Sequence, residues 1–553
     1  MEQPVQAPQD GVVGQVHVTV GDQVEVGQRL VTMTEATTDK ALQSADPLSD
    51  GNRSDLAQVL DRRAMLTDAA RPDAVAKRHQ AEYRTARENI ADLLDADSFN
   101  EYGGLAIAAQ RNRRSLEELI ERTPADGLIT GTGTVNADLG GADNARVAVA
   151  AYDYTVLAGT QGFANHHKKD RLFKLAAQYA LPVVIFAEGG GGRPGDTDVV
   201  GGSLLDAEAF ALFAALSGRV PLIAIVNGRC FAGNAALAGS ADVIIATEGS
   251  SLGMAGPAMI EGGGLGTVDA DDVGPMDLQT ANGVVDVLVA DEAAAVSVAK
   301  HYLSFTQGRV AAPEPHDQQQ LRHLVPENRK RVYDMRQVSD ILADPGSVLE
   351  LRQEFAPGML TALARIAGHP VGIVANVPTH LGGAIDADGA DAASCHLTLC
   401  QSYGLPIVVL CDTPGFMVGP DAERQAGVRR FSQMFLAGAN LSVPLICVII
   451  RKAYGLGAQA MMGGHLKVPA LTVGWPTSEL GPMGLEGAVS LGFRRELEQI
   501  ADPDRRAERE QELIDKAYAN AQGLNIATFA EIDDVIDPAD TRQRILLTLG
   551  HMA

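Results

Sequence analysis

Residues 181–196 read LPVVIFAEGGGGRPGD, and residues 405–420 read LPIVVLCDTPGFMVGP. In each, a short apolar run ends in a glycine-bearing turn. The first is followed by the helical pattern FALFAALSG (210–218) and then by VPLIAIVNGRCFAGNAALAG (220–239), a second apolar run with its own glycine loop. The other is followed by RRFSQMFLAGANLS (429–442) and VPLICVIIRKAYGLGAQAMMG (443–463). Leu181 and Leu405 are 224 residues apart and Val220 and Val443 are 223 apart, so strand, loop, helix, strand and loop recur in one order with almost no slippage. Buried-type strands alternating with helices predict α/β domains whose sheets are covered by helices. The division between the halves is expected near QGRVAAPEPHDQQQ (307–320), where Pro, Gln and charge interrupt the pattern. This gives halves at 61–312 and 313–553.

Upstream of the repeat, residues 56–66 (LAQVLDRRAML) and 85–95 (TARENIADLLD) place apolar residues at three- and four-residue intervals and read as helices. Before them, VQAPQDGVVGQVHVTVGDQVEVGQRLVTM (5–33) reads as short alternating strands with Gly-Asp and Gly-Gln turns, and QSADPLSDGNRSD (43–55) as a polar linker. The expected boundaries are a β-segment at 1–46 and a linker at 47–60.

The chain has 553 residues, 46% hydrophobic and 21% charged, with a formal charge of −25. That length exceeds one compact core, and the acidity argues against a nucleic-acid phosphate binder. An anionic ligand must find a local basic patch. The five cysteines, Cys230, Cys395, Cys400, Cys411 and Cys447, lack the spacing of a zinc site or a disulfide scaffold, which predicts a reducing, cytoplasmic setting. No signal segment is read at MEQPVQAPQDG, and apolar runs such as VPLICVII (443–450) are too short to span a bilayer. No membrane association is expected.

A run of residues without Cβ at Gly189–Gly192 lets backbone N–H groups converge on one ligand atom, which is the requirement for an oxyanion hole. Gly190, Gly192 and Gly195 also satisfy G-x-G-x-x-G, but Pro194 and the unhelical DTDVVGG behind them argue against a dinucleotide turn. A flexible loop without function is the plain alternative. In the other half, Gly455, Gly457 and Ala458 open a helix, where free amides point outward, or else they serve close packing. GSSLG (249–253) fits the serine elbow, yet MAGPAMIEGGGLG (254–266) behind it does not read as the helix an elbow needs. No metal-protease, Walker A or Cys/His cluster pattern occurs, so no metal is expected. NHHKKDR (165–171) is the densest positive cluster near the glycine loops, suited to ligand phosphates or, alternatively, to a solvated helix start; DTPGF (412–416) is a strand-end turn that can also line a ligand.

Over residues 55–553 the sequence resembles the carboxyltransferase (β) components of biotin-dependent acyl-CoA carboxylases, nearest to actinobacterial long-chain or broad-range enzymes. The resemblance is carried by RPDAVAKRHQ (71–80), YDYTVLAGTQG (152–162), FAEGGGGR (186–193), PVGIVAN (370–376), CDTPGF (411–416), GWPTSELGPMG (474–484) and DDVIDPADTR (533–542). It implies two crotonase-like domains of ββα superhelical form, with acyl-CoA on the N-terminal half and carboxybiotin on the C-terminal half of a neighbouring subunit. Hexamers built from such dimers are implied, as are a biotin carboxylase and a biotin carboxyl carrier as partners. Carried over by motif, the amides of Gly191 and Gly192 stabilise the thioester enolate, and those of Gly457 and Ala458 hold the biotin ureido oxygen. Gly190, His166, Lys168, Lys169 and Arg171 are the acyl-CoA contacts expected on this reading. Gly455, Pro414, Gly415 and Phe416 complete the expected biotin site.

Three departures bear on substrate and partner. DAASCHL (391–397) stands where relatives have Asp-Lys-Ala-Ala-Arg-Phe, so Ala392 and Cys395 replace a basic pair. Gln459 and Ala460 replace the Tyr-Asp of short-chain enzymes, and Leu456 reads as an insertion; loss of the acidic residue predicts a larger or less selective acyl pocket. Residues 1–46 resemble half of a biotinyl or lipoyl domain, but EATTDKA (35–41) lacks the Ala-Met-Lys-Met acceptor; Thr37 or Thr38 stands at the acceptor position and Lys40 falls three residues late. A vestigial segment and a separate carrier are therefore expected. An acyl-CoA decarboxylase, using the same enolate in reverse, and a non-catalytic carrier-docking scaffold are the alternative readings.

Overall fold

The computed structural model describes residues 11–34, 53–141, 143–193, 195–198 and 205–552. It comprises two compact units, 1–61 and 62–553. In the first, strands Val12–Val16 and Val31–Thr34 pair antiparallel as a two-stranded sheet. Thr37, Thr38 and Lys40 lie outside the described residues.

The larger unit carries both halves of the repeat. A seven-stranded sheet runs from Val287–Val289 through Val243–Thr247, Leu222–Val226, Val183–Phe186, Arg146–Tyr152 and Leu128–Thr134 to Asn100–Tyr102. Its central strands are parallel and wholly buried, as their unbroken apolar runs require. After each of three consecutive strands the chain adds a two- or three-residue strand to a second, parallel sheet (Gly189–Gly190, Arg229–Phe231, Ser251–Gly253). A short helix follows each: Ala209–Ala214, Gly233–Ala238 and Pro257–Gly262. These are turns of a ββα superhelix. The last helix corrects the reading of 254–266 as unhelical, although the elbow itself is absent, because Ser251 is a buried strand residue and the helix opens six residues later.

An eight-stranded sheet in the other half is ordered Leu349–Leu351, Met359–Ile366, His369–Asn376, Ile407–Thr413, Leu445–Tyr454, Leu471–Gly474 and Asp534–Val535, with Glu479–Gly481 paired to the far end of Leu445–Tyr454. One hydrophobic cluster takes side chains from both sheets, among them Phe186, Ile225, Leu363 and Ile449. The halves are also tied by the Arg352–Asp286 ion pair at 2.7 Å and by the Tyr403 hydroxyl donating to Asp242 at 2.6 Å. Helix Ala86–Leu93 is closed by a capping box between Thr85 and Glu88. Among the described residues no helix is long and apolar enough to cross a membrane.

Candidate active site

The first glycine loop continues strand Val183–Phe186 through Ala187 and Glu188. Gly189, Gly190 and Gly191 have φ of 78°, 144° and 78°, a region that side chains avoid. A Cβ on Gly189 would lie 2.3 Å from the Ala158 carbonyl oxygen, and one on Gly190 1.9 Å from that of Phe231. These two glycines are therefore required by backbone crossing, a need the sequence reading had assigned to the ligand. At Gly191 and Gly192 a Cβ would meet nothing within 4 Å among the described residues. The Gly191 carbonyl accepts from the Gln161 N–H at 2.9 Å, and Arg193 N–H donates to the Gln161 carbonyl at 3.1 Å. Because a trans peptide points its C=O and N–H to opposite sides, the Gly192 N–H is aimed away from Gln161.

The other half repeats this geometry at the same spacing. Ile385 N–H donates to the Gly415 carbonyl at 3.0 Å and Met417 N–H to the Ile385 carbonyl at 2.8 Å, which turns the Phe416 N–H outward. Gly415 has φ 121°, and Phe416 stacks on Phe431 at 4.5 Å. Helix Gly455–Met461 begins on Gly455 at φ 60°, outside right-handed helical space. The regular backbone thus starts at Leu456, and the four amides with no obligate intrahelical acceptor are those of Gly455, Leu456, Gly457 and Ala458. A Cβ on Gly457 would lie 2.7 Å from the Gly415 carbonyl carbon and 2.9 Å from the Phe416 nitrogen. The expected biotin residues Gly415, Phe416, Gly457 and Ala458 are thereby brought together.

At the matching point of the first half stands Asn234, wholly buried. Its Nδ2 donates to the carbonyls of Glu188 at 2.8 Å and Gly159 at 3.1 Å, and its Oδ1 accepts from Gln161 Nε2 at 2.6 Å. The two halves thus share a frame and differ in what fills it.

The basic cluster is corrected. Helix Phe163–Tyr179 buries Asn165, Lys168, Lys169, Leu172, Phe173 and Ala176, one stripe at helical spacing. Lys168 donates to the Ala125 carbonyl at 2.9 Å and to that of Leu128; Lys169 donates to the Tyr152 hydroxyl at 2.9 Å. Both ammonium groups are turned onto protein oxygens and not outward as a basic patch. Burial, reinforced by Lys169 and His167, lowers His166 to about 4, so it carries no charge at neutral pH. Arg171 is exposed, its guanidinium 5.7 Å from the Tyr102 ring, and stays available.

Lys169 gives a pH test. Burial lowers it from 10.5 to about 7, so between those values the unfolded chain holds a proton that the folded chain does not. Its contribution to stability is full above 10.5 and is lost as pH falls through 7, at about 1.4 kcal/mol per pKa unit. Lys169→Met is expected to gain more in denaturant midpoint over the wild type at pH 6.5 than at pH 9.5. Equal offsets at both pH values contradict this.

A cavity of about 1060 Å³ lies beside the first loop, lined by Glu188 and Ala158 of the loop region, by Lys77 and Arg78 of a helical arm at Pro72–Gln80, by Tyr83 just beyond it, and by Arg229. Arg78 grips Glu188 through two hydrogen bonds of 2.7 and 2.6 Å, with the Tyr83 ring 4.6 Å from its guanidinium. Sequence reasoning missed this cavity. Its one signal was an acid lodged between an apolar strand and a glycine run, a place where a carboxylate needs a cation.

Residues 77–551 match the carboxyl transferase domain family. The chain belongs to that family. Residues 1–33 match the family described as biotin-requiring enzyme. The carboxyltransferase is 34% identical over 510 residues to the methylmalonyl-CoA carboxyltransferase 12S subunit of Propionibacterium freudenreichii subsp. shermanii, covering 90% of this chain and 94% of that one. A structure of a single-chain, multi-domain long-chain acyl-CoA carboxylase matches it with TM-score 0.85 and 53% identity over 99% of this chain. The carboxyltransferase spans about half of that chain's length, 52%. A transcarboxylase 12S crystal structure, described as a hexamer with methylmalonyl-CoA bound, matches with TM-score 0.80 and 31% identity, covering 91% and 96%. The chain is an enzyme, a carboxyltransferase of the biotin-dependent acyl-CoA carboxylase type with the crotonase-like fold.

Proposed function

We propose that the carboxyltransferase moves a carboxyl group onto the α-carbon of a long-chain acyl-CoA, with the thioester on the first glycine loop and carboxybiotin on the second. The observation that carries this reading is the pair of outward amides at equivalent points of the repeat, Gly192 and Phe416, flanked by Gly191 and by the helix start at Gly457 and Ala458. Removing an α-proton builds charge on the thioester oxygen, and one well-placed donor there is worth roughly 3–4 kcal/mol. Gly191 and Gly192 offer donors with space beside them among the described residues, and the cavity gives the acyl-CoA a place next to that loop. Among the described residues, Lys77 is the cation of its lining not engaged by a lining acid, since Arg78 is paired with Glu188 and Arg229 with Asp271.

The Gly415–Phe416 backbone fills the place a Cβ on Gly457 would need, so the turn and the helix start are held together, and the Phe416–Phe431 stack beside them offers an apolar surface for a planar ureido ring. When bound, carboxybiotin supplies the transferred carboxyl and the base for the α-proton, so no side-chain base is required of this chain. The carrier is proposed to be a separate domain or subunit, loaded by a biotin carboxylase, because residues 35–41 lack the acceptor motif. An intact mass carrying biotin or lipoate on Lys40 contradicts that. A hexameric assembly and a cytoplasmic setting complete the proposal, the first supported by the 12S neighbour and the second by cysteines that are all unpaired.

Chain length is the test of substrate class. Gln459 and Ala460 in place of Tyr-Asp, together with the 53% identity to a long-chain enzyme, favour long acyl groups. In an acetyl- to palmitoyl-CoA series, kcat/KM is expected to rise with length; equal or better turnover of acetyl-CoA contradicts the proposal.

A further inference from the structure

We propose that Glu188 and Asp412 are a matched pair of positioning residues, each holding the base of one glycine loop, a reading that rests on the function proposed above. They stand 224 residues apart, at the same point of the repeat, and each is buried, with 3% and 0% of its surface exposed. Gly189 follows Glu188 directly, and the Thr413–Phe416 turn follows Asp412.

A buried carboxylate is expensive unless it is ion-paired and hydrogen-bonded, so each half has had to supply cations. The halves do so from different places. Glu188 is held by both guanidinium nitrogens of Arg78, 110 residues away on the helical arm, and Gly228 packs so close that a Cβ there would lie 2.4 Å from Glu188 Oε1. Asp412 takes its cations from the neighbouring strand: Lys452 Nζ at 2.8 Å and Arg451 at 3.1 Å, with the Tyr333 hydroxyl donating at 2.8 Å. The Lys452 N–H also donates to Asp412 Oδ1 at 3.1 Å, where the ladder between Ile407–Thr413 and Leu445–Tyr454 slips between Cys411 and Thr413. The carboxylate thus replaces a main-chain acceptor at the irregularity that starts the loop.

What the two halves share is therefore the acid at the loop base and not the partner that neutralises it. Each acid fixes the strand end from which its loop departs, and through it the aim of the amides that follow: Gly191 and Gly192 after Glu188, Phe416 after Asp412.

The test uses the assembled enzyme with free carboxybiotin and a long-chain acyl-CoA, varying each substrate in turn. Glu188→Gln is expected to lower kcat/KM for acyl-CoA at least tenfold and to leave KM for carboxybiotin within twofold. Asp412→Asn should do the reverse. Tyr333→Phe, which removes one hydrogen bond to Asp412 and no charge, should shift the carboxybiotin constant in the same direction by a smaller factor. Arg78→Lys serves the same purpose for Glu188 if Glu188→Gln fails to assemble. Constants for both substrates moving together in every variant, in step with the melting temperature, would make the acids purely structural and overturn the inference, as would wild-type constants. An unmutated enzyme that transfers nothing overturns the functional reading on which the inference rests.

Discussion

Replacing Gly457 with valine is expected to reduce carboxyl transfer on the order of 100-fold or more, the scale of losing one oxyanion donor. Its Cβ would fall 2.7 Å from the Gly415 carbonyl carbon and 2.8 Å from the Gly415 Cα, so either the helix start or the Gly415–Phe416 turn must move. Neither neighbour is the end of a flexible side chain that could swing aside. Displacement there parts the amides of Gly457 and Ala458 from that of Phe416, while the sheet beneath stays paired through Ile407–Leu410. An oligomeric state close to wild type and a lowered melting temperature, combined with lost transfer, is the expected pattern. Unchanged turnover removes the assignment of this loop to biotin.

The second large effect separates two glycines two residues apart. Gly190→Ala is expected to damage the fold itself, because the new Cβ would sit 1.9 Å from the Phe231 oxygen at a φ of 144°. Backbone strain of roughly 1–3 kcal/mol adds to that collision. The small parallel sheet that carries Gly189–Gly190 beside Arg229–Phe231 would open. At Gly192 a Cβ would meet nothing within 4 Å among the described residues, so Gly192→Val should fold and melt close to the wild type. Its isopropyl group would instead occupy the space into which the loop opens, and KM for acyl-CoA should rise at least tenfold. Thermal melts and steady-state kinetics on both variants decide the matter; similar melting losses in the two contradict the division between packing and ligand glycines.

The repeat was legible because each half uses unbroken apolar strands at nearly constant spacing. The bridges Gln161 to Gly192 and Ile385 to Phe416 preserve that spacing in three dimensions. The second, small sheet was not legible, since strands such as Gly189–Gly190 are two or three residues long and leave no periodic trace. Lys168 and Lys169 misled because charge was read before helical phase. Their burial follows from Leu172, Phe173 and Ala176, whose stripe continues back through them. The Arg78–Glu188 pair joins residues 110 apart with no local pattern to link them. Intact glycine geometry in both halves disfavours a non-catalytic scaffold, which has no need for outward amides at two equivalent places.

The most direct measurement follows label from free carboxybiotin, carboxyl-labelled, into a long-chain acyl-CoA in the presence of the purified, assembled chain and no other protein. Label is predicted in the carboxylated acyl-CoA, and it is predicted to disappear with Gly457→Val. An assembled enzyme that passes no label to an acyl-CoA of any chain length would contradict the account.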